Sequence, residues 1–215
     1  MREINLMPII SIINEKGGVG KTTLATHIAR GLQKRGMDVL LIDSDPQGSL
    51  RDWYAAAGED SDLPPVIAID RPALFKDINR FIKPWTIIDG APSVEELAVS
   101  AIKASDFVII PVQPSPYDVW ATESLVEMIQ VRQDLAEKPK TAFLISRQIS
   151  GTKLSSDVRQ ALEEYGFDIF KNHTTQRVLY PTTASTGTTV LDVDPEGLAA
   201  QEINLIVEEL IEWVS

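Results

Sequence analysis

Two lysines, Lys16 and Lys21, enclose three glycines in the stretch Asn14-Glu15-Lys16-Gly17-Gly18-Val19-Gly20-Lys21-Thr22-Thr23. Such a loop suits the handling of phosphate. Glycines let successive backbone N–H groups turn inward on phosphate oxygens, and the N-terminus of a following helix adds partial positive charge. Lys21 would then reach the β- and γ-phosphates of a nucleotide, and the Thr22 hydroxyl would ligate Mg2+. Gly17, Gly18, Val19, Gly20, Lys21, Thr22 and Thr23 are the candidate nucleotide-binding residues. The strict pattern Gly-x-x-x-x-Gly-Lys-[Ser/Thr] fails at one place, because position 15 holds Glu15 rather than glycine.

Two acidic segments follow. Met37-Asp38-Val39-Leu40-Leu41-Ile42 leads into Asp43-Ser44-Asp45-Pro46-Gln47-Gly48-Ser49, and Trp85-Thr86-Ile87-Ile88 leads into Asp89-Gly90-Ala91-Pro92. A carboxylate at the C-terminal end of a buried strand points into the ligand crevice of an open α/β sheet. Asp89 would hold Mg2+ through a water, since this small cation keeps much of its hydration shell. Taken alone, residues 43–49 read equally well as an Asx-turn with Pro46 opening a helix. An apolar strand ending in one acid is also common. Their occurrence in order behind the glycine loop is what gives them weight.

The elements that must position these groups alternate. Pro8–Ile13 reads as a buried strand, Leu24–Leu32 as a helix stopped at Gly36, and Met37–Ile42 as a second strand. Helical composition at Leu50–Ala57, a polar break at 58–65, a short strand at 66–69 and a helix over Arg71–Phe81 come next. Strand 85–88, helix Val94–Lys103, strand 106–112 and an amphipathic helix Ala121–Ala136 follow. Strand 141–146, helix Lys153–Tyr165, strand 167–170, a hydroxyl-rich loop 182–189 and a terminal helix 195–214 complete the chain. The pattern predicts an α/β fold with a doubly wound, mainly parallel sheet and helices on both faces.

The chain has 215 residues, 44% of them hydrophobic and 24% charged, which suits a single domain over 1–215. Cysteine is absent, which excludes disulfides and cysteine-held metal or iron–sulfur centres. No apolar run reaches the roughly 18 residues of a spanning helix, and Met1-Arg2-Glu3-Ile4-Asn5 lacks the order of a signal peptide, so a cytoplasmic protein is expected. The net charge of −11 sits awkwardly with binding to nucleic acid, where phosphate contacts need local positive charge.

Lys-Gly-Gly-Val-Gly-Lys-Thr at 16–22 is a deviant Walker A box, and here the chain resembles the ParA/MinD group of ATPases (P-loop NTPases of the deviant Walker A type). The Gln113-Pro114-Ser115-Pro116-Tyr117-Asp118 loop and Thr175-Gln176-Arg177-Val178-Leu179-Tyr180 resemble segments of small plasmid-type, ParF-like members. The resemblance implies ATP/ADP and Mg2+ as cofactors. Lys16, Lys21 and Asp45 would be catalytic: Lys16 crosses a dimer interface to the partner's nucleotide, and Asp45 orients the attacking water. Thr22, Asp43 and Asp89 would serve the metal, and Arg147, at a strand end, would neighbour the adenine. Lys171 and Arg177, with His173, form the densest late cluster of potential DNA-phosphate contacts. The resemblance further implies a homodimer in the ATP state, non-specific DNA binding, nucleoid association, and a centromere-binding ParB/ParG-like partner that stimulates slow hydrolysis. An alternative is a positioning ATPase for a protein cargo such as a carboxysome or chemoreceptor cluster, acting through an adaptor. A membrane-associated MinD-like role is disfavoured, because the terminal helix carries Glu202, Glu208, Glu209 and Glu212 where anionic lipid would call for basic residues. A dethiobiotin-synthetase-like ligase would leave Lys16 without a duty.

Overall fold

The computed structural model describes residues 8–81, 85–92, 95–149 and 154–215. Its centre is one parallel sheet of β1 (Ile9–Ile12), β2 (Val39–Asp43), β3 (Val66–Ala68), β4 (Trp85–Asp89), β5 (Phe107–Val112), β6 (Lys140–Ile145) and β7 (Asp168–Ile169). The strand order is β3-β2-β4-β1-β5-β6-β7, and every described pairing is parallel. The mainly parallel sheet read from the sequence is therefore wholly parallel among the described strands.

Parallel strands covered on both faces are apolar throughout, and β1, β2 and β5 are buried at every position. Successive side chains divide between the faces. Ile10, Ile12, Leu41, Ile87 and Ile109 pack under α1 (Lys21–Lys34), α2 (Ser49–Ala56), α8 (Leu179–Ala184), α9 (Val190–Val193) and α10 (Leu198–Val214). Ile13, Val108, Ile110, Phe143 and Ile145 pack under α4 (Glu95–Ala104), α5 (Pro116–Trp120), α6 (Glu123–Ala136) and α7 (Leu154–Glu163). Ile42, Leu74, Ile78 and Ile88 close the far edge with α3 (Leu74–Asp77) and a 3-10 turn over Ile78–Arg80.

Chain order switches direction at β1, whose neighbours are β4 on one side and β5 on the other. A ligand crevice opens outside the strand ends at such a point. The register makes it specific: Asp43 pairs with Asp89 across β2 and β4, and Asp89 pairs with Ile12 at the end of β1. Both acids and the glycine loop thus start from one level of the sheet.

Several elements depart from the sequence reading. Residues 182–189 are not one loop, because α8 runs to Ala184: the Thr182, Thr183 and Ser185 hydroxyls donate to carbonyls three or four residues back, so they are satisfied inside helical turns. Thr189 then forms a capping box with Asp192 for α9. The helix expected over 121–136 is α6 alone from Glu123, with α5 a separate piece started by Pro116. The 71–81 segment is α3 plus its 3-10 turn, and α10 starts at Leu198, not 195. Residues 1–5, Val94 and Lys153, to which expectations were attached, lie outside the described residues.

Trp53 on α2 donates its indole N–H to the Thr188 carbonyl, and Gly187 lies so close to the end of α2 that a Cβ there would stand 2.2 Å from the Ala57 nitrogen.

Candidate functional site

The glycine loop runs from β1 straight into α1. Gly18 and Gly20 take φ of +78° and +96°, a region open to glycine and strained for other residues. Gln113 Nε2 donates to the Gly18 carbonyl at 3.0 Å, and Ser146 Oγ donates to the Val19 carbonyl at 2.8 Å. These side chains stand beyond the ends of β5 and β6. They hold two successive carbonyls of the loop. Gly17, Gly18, Gly20, Lys21, Thr22 and Thr23 line a cavity of about 720 Å³, with Asp45 and Arg147 on its walls. Val19 is instead fully buried and anchors the loop.

Lys21 is buried, and its Nζ donates to the Lys16 carbonyl at 2.9 Å. Burial lowers its pKa, opposed by the charges of Asp89 and Asp45. Asp89 is the most perturbed acid of the site. Both its oxygens are buried without a hydrogen bond of ordinary geometry, although the Thr22 hydroxyl lies near enough to interact. Burial pushes its pKa up to about 7, with Thr22 and Lys21 lowering it and Asp43 and Asp45 adding to the rise. An orphaned buried carboxylate beside a threonine hydroxyl and a nucleotide-sized cavity fits Mg2+, which takes few protein ligands and keeps its waters. Among the described residues no cluster of three or more acidic, histidine or cysteine side chains could cage a metal alone.

Asp43 is differently employed. One oxygen accepts the Asp45 N–H at 3.0 Å; the other accepts the Arg51 backbone N–H at 3.0 Å and its Nε at 3.2 Å. Its side chain thus organises the turn after β2. Asp45 also makes the Asx-turn foreseen for it, accepting the Gln47 N–H at 2.9 Å. The turn leaves Asp45 on the cavity wall, and the helix after it opens at Ser49 rather than at Pro46, because Gly48 in the left-handed region caps it.

Lys16 faces elsewhere. Its Nζ pairs with Asp118 on α5, and with Tyr117, Trp120 and Glu123 it lines a shallow surface apart from the nucleotide-sized cavity. Asp118 is almost wholly buried and its second oxygen has no hydrogen-bond partner. Glu15 Oε2 accepts from Ser124 at 2.6 Å, tying the loop's start to α6.

A second cavity of about 430 Å³ adjoins the first past Gly20 and Thr23, with Arg147, Thr174, Gln176, Arg177 and Tyr180 on its walls. Arg147, at φ +53°, borders both cavities. Arg177 donates twice to Glu202 of α10, at 2.6 and 3.1 Å, and Tyr180 donates to the same carboxylate at 3.0 Å. Glu209 accepts the Lys171 backbone N–H at 2.7 Å. The late basic cluster therefore lies along the acidic face of α10; Arg177 is committed to it, whereas the Lys171 side chain is exposed.

Sequence reasoning missed Arg51, Ser146, His27 and the pairing of Asp118, since each acts on a residue distant in sequence or sits inside an ordinary helical pattern. His27 is fully buried on α1. Its Nε2 accepts the Val190 N–H at 3.1 Å, leaving Nδ1 to donate to the Thr23 carbonyl at 2.7 Å, and burial lowers its pKa to about 4. A neutral imidazole thus joins the glycine-loop helix to α9.

Known proteins share this architecture. The maintenance of carboxysome distribution protein A of Halothiobacillus neapolitanus is 30% identical over 208 residues, covering 94% of this chain and 95% of that protein. The chromosome-partitioning ATPase Soj of Thermus thermophilus is 24% identical over 235 residues, covering 94% of each. The ATP complex of a Cyanothece McdA variant superimposes with a TM-score of 0.78 at 19% identity over 96% of both chains. The CobQ/CobB/MinD/ParA nucleotide binding domain model matches residues 10–190, from β1 to the start of α9 and so across the loop, both acids and the lining of both cavities up to Ser185; the chain belongs to this family.

Proposed function

We propose that this chain is a partition ATPase of the ParA type, in which an ATP-sandwich dimer binds DNA non-specifically and hydrolyses ATP when a centromere-binding partner stimulates it. The observation that carries the reading is the opposite disposition of the two loop lysines. Lys21 lies on the cavity and serves its own nucleotide. Lys16 lies on an outer face beside an exposed edge-on pair, Tyr117 and Trp120, with ring centroids 5.5 Å apart. A lysine so placed reaches a triphosphate held by a second copy packed on that face.

The chemistry follows from the side chains. The loop N–H groups and Lys21 bind the phosphate oxygens, and Lys16 of the second copy adds positive charge where the γ-phosphoryl group accumulates negative charge. Asp45 orients a water whose oxygen bonds to the γ-phosphorus as the bond to the β,γ-bridging oxygen breaks, giving ADP and phosphate. Thr22 and Asp89 would hold Mg2+, which when bound neutralises phosphate charge. Asp43 acts on this arrangement through the turn carrying Asp45. Lys171 supplies an exposed DNA-side cation, and the compartment is the cytoplasm.

A second reading, a positioning ATPase for a protein cargo acting through an adaptor, is favoured by the near full-length similarity to a carboxysome distribution protein and by the net charge of −11. Retention on non-specific DNA with ATP, ADP or no nucleotide, at two salt concentrations, separates them. ATP-dependent retention that weakens with salt supports DNA partition. A dimer with ATP but no retention at low salt moves the proposal to the protein cargo. A strict monomer with ATP at every concentration refutes both.

A further inference from the structure

Arg51 gathers the turn that carries Asp45. Its Nη2 donates to the Asp45 carbonyl at 3.0 Å and its Nε to Asp43 at 3.2 Å, while Nη1 stands 3.3 Å from Asp70 beyond β3. Its backbone N–H also binds Asp43, and its guanidinium lies 3.0 Å from where a Cβ at Gly48 would stand. One side chain thus joins the end of β2, the turn, the start of α2 and the end of β3. A planar fork can hold several acceptors in fixed directions at once, which an ammonium cannot. Asp45 lies at a cavity wall, with an oxygen held by Gln47 and its backbone held by Asp43 and Arg51.

We propose that Arg51 is the positioning residue for Asp45, setting the carboxylate that orients the hydrolytic water without itself meeting nucleotide. This rests on the reading of Asp45 given above. Misplacing a catalytic group by about 1 Å costs on the order of 100-fold in rate. Arg51→Ala should therefore lower kcat for Mg-ATP hydrolysis roughly 10- to 100-fold while the Kd for a fluorescent ATP analogue stays within about two-fold, because the glycine loop is untouched.

Hydrolysis and binding are measured on the full chain for Arg51→Ala, Arg51→Lys, Asp45→Asn and the Arg51→Ala/Asp45→Asn double variant, with melting temperatures alongside. The proposal expects Arg51→Lys to recover part of kcat, and the double variant to be no slower than Asp45→Asn alone. Unchanged kcat in a folded Arg51→Ala protein, while Asp45→Asn is inactive, overturns the positioning role and leaves Asp45 standing. Full activity in Asp45→Asn overturns the Asp45 reading and this inference with it. If Arg51→Ala does not fold, Arg51→Lys decides: a loss of kcat at constant Kd supports the role, and equal losses in both overturn it.

Discussion

Replacing Asp118 by Asn tests the relation between the outer lysine and dimerisation. The Asp118 side chain is 3% exposed and that of Lys16 is 40% exposed. Removing one partner of a fully buried pair costs about 3–5 kcal/mol, and of an exposed pair about 0–1. A pair with one end half open falls between, at about 2 kcal/mol. On the function proposed above, Lys16 would leave Asp118 to reach a second subunit's nucleotide, so each subunit would strand that carboxylate on dimerisation. At about 1.4 kcal/mol per tenfold, the cost is roughly 30-fold per subunit, or on the order of a thousandfold in the dimer constant. Asp118→Asn keeps the shape and removes the charge. Sedimentation with a non-hydrolysable ATP analogue should show a dimer at concentrations 100- to 1,000-fold below those the parent chain needs, and no dimer with ADP. Lys16→Ala should instead lose about 2 kcal/mol of monomer stability, a melting-point drop of about 4–8 °C. Lys16→Ala/Asp118→Asn should regain that stability and still fail to dimerise. An Asp118→Asn protein with normal melting and an unchanged or weaker ATP dimer would falsify the reasoning.

Other outcomes are equally concrete. Folding raises the Asp89 pKa from 3.8 to about 7, so the nucleotide-free protein holds a proton there between those values; the stability this lends is complete below pH 3.8 and lost as the pH rises through 7. Calorimetry of Mg-ATP binding in buffers of different ionisation heat should accordingly show a proton released at pH 6, little release at pH 8.5, and none in Asp89→Asn. Gly187→Ala should cost roughly 2–4 kcal/mol through overlap with Ala57 and a φ of +61°, seen as a melting-point fall of about 4–16 °C. Arg177→Ala should leave the salt dependence of DNA retention unaltered, because its guanidinium already serves Glu202, whereas Lys171→Ala should lessen the slope by about one.

The loop and the strand-end acids were legible because their signals are local. Gly18 and Gly20 take positive φ, Lys21 and Thr22 follow the loop directly, and Asp43 and Asp89 end β-branched apolar runs that read as buried strands. What holds them was not. Gln113 and Ser146 meet the loop from 95 and 127 residues away. Arg51 sits in a helix whose pattern accounts for it fully, and Asp118 reads as one more polar residue of a proline-rich loop. Residues 182–185 hid a helix because hydroxyl side chains favour loops until they find carbonyls of their own turn. Charge composition also misled in a particular way: the late basic cluster is real in sequence, but α10 brings Glu202 and Glu209 against it.

The contact of Gly187 and Thr188 with the end of α2 fastens together the two banks of the cleft. Trp53 lies on the helix that follows the turn after β2 and Ala57 caps its end, while Gly187 belongs to the segment descending from Tyr180 beside the second cavity. With no space for even a methyl group between them, these banks behave as a single rigid frame. Displacement of α2 therefore carries the segment after Tyr180 with it, so the two walls shift together or not at all.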